Sequence, residues 1–389
     1  MKPNFEWRGE EMYLDNAATT MIDPEVVAVM QPYMEERYGN PETIYRLGRE
    51  AHEAVEEARS KIANLLGCLN EEVYFTSGGT ESNNWAIKGF LFPEEKNLIV
   101  ASAVEHPSVL EPANWMVERQ LASLYVASAD EFGMVSPEHL EAYLKDGKVG
   151  LVSVQYANNE VGTIQPVKEI ASLCHKYGAL FHCDAVQAFG KVAFDVDDVG
   201  FDMVSISAHK IHGPMGTGAL YVRKGTPIEP LLHGGGHENG MRSGTHSVHN
   251  IVGFGKAVEM AETAIKKDMP RLYQVIDSAA GDMALRLGAQ RNGHPTVRLP
   301  NILNVTIPGF DASLACGLLC SKYGICVSSG AACHTRSRTS NVLEAMGKKN
   351  VVGSTLRISL SKYNNENEVR MLTSRLQAVV VEAKNRSLI

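Results

Sequence analysis

A lysine that directly follows an apolar strand is the residue of this sequence with the most reactive chemistry open to it. In Ser205-Ile206-Ser207-Ala208-His209-Lys210-Ile211-His212-Gly213-Pro214 the β-branched run ends and Lys210 follows at once. Such a lysine is ordinarily a surface cation, but held in a ligand cleft it can form a Schiff base with an aldehyde. A second segment, His182-Cys183-Asp184-Ala185-Val186-Gln187, sets an acid just past the carboxyl end of another apolar run. Open α/β sheets bind ligands at that edge. A buried carboxylate needs a partner, and a protonated pyridine nitrogen would keep it ionised; capping the next helix is the other use of an Asp here.

Three further segments carry candidate groups. Phe75-Thr76-Ser77-Gly78-Gly79-Thr80-Glu81-Ser82-Asn83-Asn84 leaves a strand and opens a helix, so its backbone N–H groups and the helix dipole suit a phosphate. Glycine turns of this kind are also common without a ligand, and the segment is neither a Walker loop nor a dinucleotide fingerprint. The stretch Gly234-Gly235-Gly236-His237-Glu238-Asn239-Gly240-Met241-Arg242-Ser243-Gly244-Thr245 offers hydroxyl, guanidinium and N–H donors, or is an ordinary mobile loop. His233 and His237 lack a third ligand, so no metal is expected.

In Val327-Ser328-Ser329-Gly330-Ala331-Ala332-Cys333-His334-Thr335-Arg336-Ser337-Arg338 a cysteine stands among small, polar and basic residues. His334, Arg336 and Arg338 favour its thiolate, and the small polar residues suit movement. The chain has seven cysteines, an odd number with no CxxC pair, so reduced thiols are expected, most of them small buried hydrophobes. Cys333 is the one expected to react.

These groups need a scaffold that brings strand ends together. From about residue 20 to 225, short runs rich in Val, Ile and Tyr alternate with segments of helical period, the pattern of βα units around a mostly parallel sheet. Expected strands are 72–76, 97–101, 149–154, 180–183, 203–207 and 219–222. Asp23-Pro24 reads as an N-cap and first-turn proline, and residues 49–66 place Ala51, Val55, Ala58, Ile62 and Leu65 on one helical face before Gly67. After about residue 260 a charged helical stretch, strands at 302–307 and 355–360 and a final helix at 366–384 suggest a smaller α+β unit.

At 389 residues two domains are expected. A net charge of −8 without a run of five or more basic residues argues against nucleic acid or a charged membrane surface as partner. No apolar stretch reaches the length of a membrane span and the N-terminus carries no signal-peptide pattern, so a soluble, cytoplasmic protein is expected.

Taken together and in order, these segments resemble the cysteine desulfurase family within the class V aminotransferase group of fold-type I pyridoxal-phosphate enzymes. The resemblance runs nearly end to end: Tyr13-Leu14-Asp15-Asn16-Ala17-Ala18-Thr19-Thr20, Gly39-Asn40-Pro41, TSGGTESNN, VEHPS, ANNEVG, AHKIHGP, GGGHENGMRSGT, SSGAACH and Leu356-Arg357. It implies an α/β fold with a large domain on a mostly parallel seven-stranded sheet, residues 15–258, and a small domain of 1–14 and 259–389 that carries the Cys333 loop. It implies pyridoxal 5′-phosphate bound covalently by Lys210, with Asp184 at the ring nitrogen, His106 over the ring, and Gln187 and Asn159 on the ring-oxygen side. Gly79, Thr80, Ser207 and His209 would hold the phosphate, with Thr245 supplied by a second subunit of a homodimer. Arg357 would grip the carboxylate of L-cysteine, Asn159 also lying at the substrate, Lys210 would move the α-proton, and Cys333 would take the sulfur as a persulfide for an acceptor protein such as an iron–sulfur scaffold.

Two departures set out an alternative. The loop AACHTRSRTS differs from the CTSxxLxPS form of iron–sulfur-supplying members, its AACH start resembling selenocysteine lyase, and Pro107 stands where cysteine-using relatives often carry Lys. Selenocysteine lyase, or another lyase or aminotransferase, is the second reading, and a non-catalytic scaffold the third.

Overall fold

The computed structural model describes residues 11–93, 95–329 and 340–385; Cys333 and its neighbours 330–339 lie outside the described residues. The expected alternation forms a seven-stranded sheet. Its order is Val73–Thr76, Gly218–Val222, Met203–Ser207, Leu180–Asp184, Val149–Ser153, Leu98–Ser102 and Ser123–Ala127. Only Gly218–Val222 runs antiparallel to its neighbours. The six expected strands are present within a residue or two. The seventh, Ser123–Ala127, is an edge strand, and its side chains are partly exposed on both faces. Its sequence holds a short apolar run, Leu124-Tyr125-Val126-Ala127, of a length that periodicity alone does not assign to a strand.

Parallel pairing aligns the carboxyl ends. Asp184 stands opposite Ser205 in the register of its strand with Met203–Ser207, so the residues that follow both strands emerge at one edge. The helix expected at 49–66 runs Arg46–Leu66 and stops at Gly67, which takes a left-handed conformation, φ 76°. Asp23 caps Pro24–Glu35 by accepting from the Glu25 N–H at 2.9 Å.

A four-stranded antiparallel sheet, Ser328–Ser329, Thr355–Ser359, Ile302–Thr306 and Gln290–Asn292, forms the second unit with helices Ala312–Tyr323 and Glu366–Asn385. Leu14, Leu303, Leu319, Leu356, Ile358 and Leu372 share its apolar core. One 40-residue helix, Val248–Leu287, runs through both units: Ile251, Phe254 and Val258 pack into the larger core, Leu272, Ile276 and Met283 into the smaller. No helix among the described residues is long and apolar enough to cross a membrane.

The glycine-rich segment 234–245 is tied down by charge. Three consecutive residues hold positive φ, Glu238 at 52°, Asn239 at 56° and Gly240 at 83°, a turn that costs energy for the first two. The buried Glu238 carboxylate offsets that cost: it accepts two bonds from Arg59, at 2.7 and 2.8 Å, one from the Phe75 N–H at 2.8 Å and one from His246 at 2.5 Å. Burial pushes its pKa up, but the bonds from Arg59 and His246 outweigh that and bring it down to about 2. Glu238→Gln is therefore expected to cost about 3 kcal/mol at neutral pH, the lower end for breaking a buried pair, because Arg59 keeps Glu56. A depressed carboxylate contributes fully above its unfolded value near 4.5 and loses that contribution as pH falls toward 2. Urea unfolding of parent and variant should thus give curves that converge between those limits. A gap that stays constant down to pH 2.5, roughly the folded value, would refute the assignment.

Candidate active site

The Lys210 turn is built by the strand that precedes it. After Met203–Ser207 the chain makes a single tight turn, Ala208–Lys210, closed by N–H groups of Ile211 and Gly213 on the Ala208 carbonyl, both at 3.0 Å. The segment Ala17–Thr20 is sewn to this turn: Thr20 donates to the His209 carbonyl through N–H and hydroxyl, at 3.0 and 2.9 Å, and His209 Nδ1 lies 3.1 Å from the Thr19 hydroxyl. Lys210 Nζ accordingly donates to the carbonyls of Ala17 and Ala18, each at 2.7 Å. Burial, then the charges of Lys210 and Lys191, lower His209 to about pKa 4, so it presents a neutral ring at pH 7.

Gln187 meets Lys210 at a shared acceptor. Its Nε2 donates to the same Ala17 carbonyl at 2.8 Å. Asp184, three residues earlier at the end of Leu180–Asp184, is buried and accepts from Asn83 Nδ2 at 2.7 Å and from the Val186 N–H at 3.0 Å. The bond to Val186 is the local turn that the capping alternative describes; Asn83, which is 101 residues away, shows that the carboxylate also faces inward.

Asn83 extends the chain of contacts to His106. It donates at 2.8 Å to Ser108 Oγ, which lies 2.7 Å from His106 Nδ1, and the Ser108 N–H donates to that nitrogen at 3.1 Å. His106 itself is the N-cap of helix Pro107–Glu118. Pro107 fits there because the first helical N–H needs no partner. The preceding Glu105 is fully buried, accepting from Ser102 Oγ at 2.5 Å and the Gln155 N–H at 2.7 Å. Burial first, then the Asp184 charge, push its pKa up to about 8, so at neutral pH it is largely protonated and anchors the turn before His106.

The phosphate-suited segment has the expected form. Helix Gly79–Lys88 begins at Gly79 with no side-chain cap, preceded by Gly78 at φ 146° and ψ −178°, a conformation open to glycine alone. A Cβ placed on Gly78 would meet only Ser207 Oγ, at 3.9 Å, so space lies above this turn beside that hydroxyl. Uncapped N–H groups, a helix N-terminus and a hydroxyl around that space fit a phosphate. Thr80 is on the exposed side of the first turn, and Arg242 reaches Glu81 there through two bonds, at 2.8 and 3.0 Å. Thr245 is exposed on the same segment as Arg242.

Arg357 arrives from the smaller unit. It is 3% exposed, donates to Asp15 Oδ1 at 2.7 Å and to the Asn159 carbonyl at 3.0 Å, and its Nε has no partner among the described residues. Asn159 is thus brought to the site through its backbone. Lys191 is also buried here, bound at 2.9 Å to Gln187 Oε1. The sequence reading named neither Lys191 nor the roles of Asn83, Ser108 and Asp15. For Asn83 a signal existed: it lies one helical turn after Gly79, on the same face.

The six described cysteines are free: Cys174 and Cys183 are buried, Cys320 exposed, and Cys68, Cys316 and Cys326 partly buried. Of these, two fit the expectation of burial; Cys316 and Cys320 lie on a helix, Cys326 in a two-residue strand and Cys68 in the bend after Gly67, where solvent reaches them. No group of three or more His, Cys, Asp or Glu that could hold a metal occurs among the described residues.

Known proteins bear on this arrangement. The pattern of the aminotransferase class-V family matches residues 12–372. A protein named cysteine desulfurase IscS from Methanosarcina thermophila is 41% identical, over 99% of this chain and 95% of its own length. A protein of the same name from Dictyoglomus turgidum is 39% identical, over 97% and 96%. Among solved structures, one described as a NifS-like protein superposes with a TM-score of 0.89 at 38% identity, covering 95% of this chain and 99% of its own. Another, described as SspA in complex with cysteine, gives 0.78 at 33% identity, covering 91% and 99%.

Proposed function

Because this chain belongs to the aminotransferase class-V family, and within it to the cysteine desulfurases, we propose that the site at Lys210 binds pyridoxal 5′-phosphate and removes sulfur from L-cysteine. One observation supports this most directly: Lys210 and Gln187 share the Ala17 carbonyl, while Asp184 is joined through Asn83 and Ser108 to His106. These bonds tie the lysine amine to the Ala17 carbonyl shared with Gln187, three residues after Asp184, and tie Asp184 to the imidazole. The donor set fits the group. Lys210 would hold it, Asp184 would oppose its ring nitrogen, His106 would cover its face, and Gly79, Thr80, Ser207 and His209 would take its phosphate.

When bound, pyridoxal phosphate supplies an electron sink that stabilises a carbanion at the substrate α-carbon. Arg357 would bind the substrate carboxylate through its remaining donors, with Asn159 alongside. The Lys210 amine, once displaced by the substrate amine, would remove the α-proton as general base. Cys333 thiolate would attack the substrate sulfur: the new S–S bond forms a persulfide, the C–S bond breaks with its electron pair going to carbon, and protonation gives alanine. An acceptor thiol can then discharge the persulfide, and an iron–sulfur scaffold is the proposed acceptor. The homodimer, with Thr245 completing the phosphate site of its partner, is part of the same reading, as are the domain limits 15–258 and 1–14 with 259–389. A cytoplasmic location suits an enzyme that works through free thiols.

The selenocysteine alternative drawn from AACH and Pro107 yields to the curated relatives, which span nearly the whole chain and are named cysteine desulfurases. The purified protein should be yellow, and borohydride should fix the cofactor to Lys210, as peptide mass would show. A protein that stays colourless with added pyridoxal phosphate would overturn the reading. Rates on cysteine and selenocysteine, measured side by side, test the substrate.

A further inference from the structure

Lys191 is a buried cation that no step above uses. It is 6% exposed, and its Nζ donates to Gln187 Oε1 at 2.9 Å. An ammonium can only donate and a carbonyl can only accept. The Gln187 amide is therefore fixed from two sides: its oxygen must face Lys191, and its nitrogen must face the Ala17 carbonyl, 2.8 Å away. One amide N–H is then left for a ligand.

The charges around Lys191 are unbalanced. Lys210 and Arg357 act on it, and it acts in turn on His209 and His212. The nearby carboxylates are committed elsewhere, Asp15 to Arg357 and Asp23 to Lys362 and Tyr363. Among the described residues Lys191 has an amide for a partner and no carboxylate in ion-pair reach. Burial, then Lys210 and Arg357, depress its pKa to about 7. An anionic oxygen on a bound ligand would relieve that cost.

Building on the reading of Gln187 as the contact to the ring oxygen, we propose that Lys191 is a positioning residue: it locks the Gln187 amide with its N–H toward that oxygen and holds the oxygen in its anionic form. The proton shared between this oxygen and the neighbouring nitrogen is then lost at lower pH. Lys191 acts through Gln187, which touches the ring.

The test is the pH titration of the visible band in holoprotein loaded with pyridoxal phosphate. The parent is compared with Lys191→Met, Lys191→Gln, Gln187→Leu and the double variant Lys191→Met/Gln187→Leu. Lys191→Met should raise the midpoint by about one pH unit, the scale of a lost neighbouring charge. Lys191→Gln, which keeps a donor to the amide but no charge, should raise it less and serves as the reporter if Lys191→Met does not fold. The double variant should shift by less than the sum of the two single shifts. Additive shifts would overturn the action through Gln187. A parent that titrates while the folded Lys191 variants stay within about 0.2 unit of it would overturn the Lys191 assignment alone. A parent that takes up no chromophore would overturn the cofactor reading and this assignment with it. A merely structural role would lower thermal stability and leave the midpoint in place.

Discussion

Lys210→Ala is expected to lower sulfide release from cysteine by about 10⁴-fold or more, the upper end of what a positioned general base supplies, since on the proposed reading the same amine would also hold the cofactor. Its surroundings explain why no neighbour can replace it. Lys191 is turned into Gln187, Arg357 is engaged by Asp15 and Asn159, and His209 is bound to Thr19. The Ala17 and Ala18 carbonyls that orient the amine are backbone groups and survive the substitution. The variant should still fold, with a melting temperature close to the parent's, and borohydride should no longer label it. Added methylamine should restore part of the proton-transfer rate. A variant within tenfold of the parent, on the same footing, would remove Lys210 from the mechanism.

Cys333→Ala should reduce sulfide and alanine formation together, by about 10³-fold or more, as loss of a catalytic nucleophile does. The visible spectrum and the borohydride label on Lys210 should be unchanged. Five of the six other cysteines make poor substitutes. Burial pushes the thiols of Cys68 and Cys316 up to about 12 and those of Cys174 and Cys183 upward as well, so they stay protonated. Cys326 is raised too, by burial and by its neighbour Cys320. Cysteine assays with a reducing thiol present, which discharges the persulfide, separate the outcomes. Undiminished sulfide from Cys333→Ala would defeat the persulfide route, and selenide from selenocysteine in the same variant would reveal chemistry that needs no thiol. Cys316→Ala serves as the control and should keep the parent rate.

What the sequence could determine by itself is whatever neighbours in the chain decide. Alternating apolar runs and helical periods specify strands and helices because burial of a side chain follows local geometry, with a period near two or 3.6. The chemistry written into consecutive residues was legible in the same way: Ser207 to Lys210 at one strand end, Asp184 to Gln187 at the next, and Gly78 to Thr80 before a helix, whereas His106 was named only through the family resemblance. The edge strand Ser123–Ala127 escaped because its apolar run, Leu124 to Ala127, is too short for periodicity to assign.

Tertiary structure alone decided which of these short segments meet. Asn83 reaches Asp184 across 101 positions, Glu238 reaches Arg59 across 179, and Arg357 reaches Asp15 across 342. No periodicity encodes such pairs. Each exists because a buried polar group must find a partner wherever packing delivers one. Lys191 is the plainest case: seven residues beyond Asp184 it reads as a surface lysine, and only the walls that close around it, with a glutamine in place of a carboxylate, turn it into part of the site.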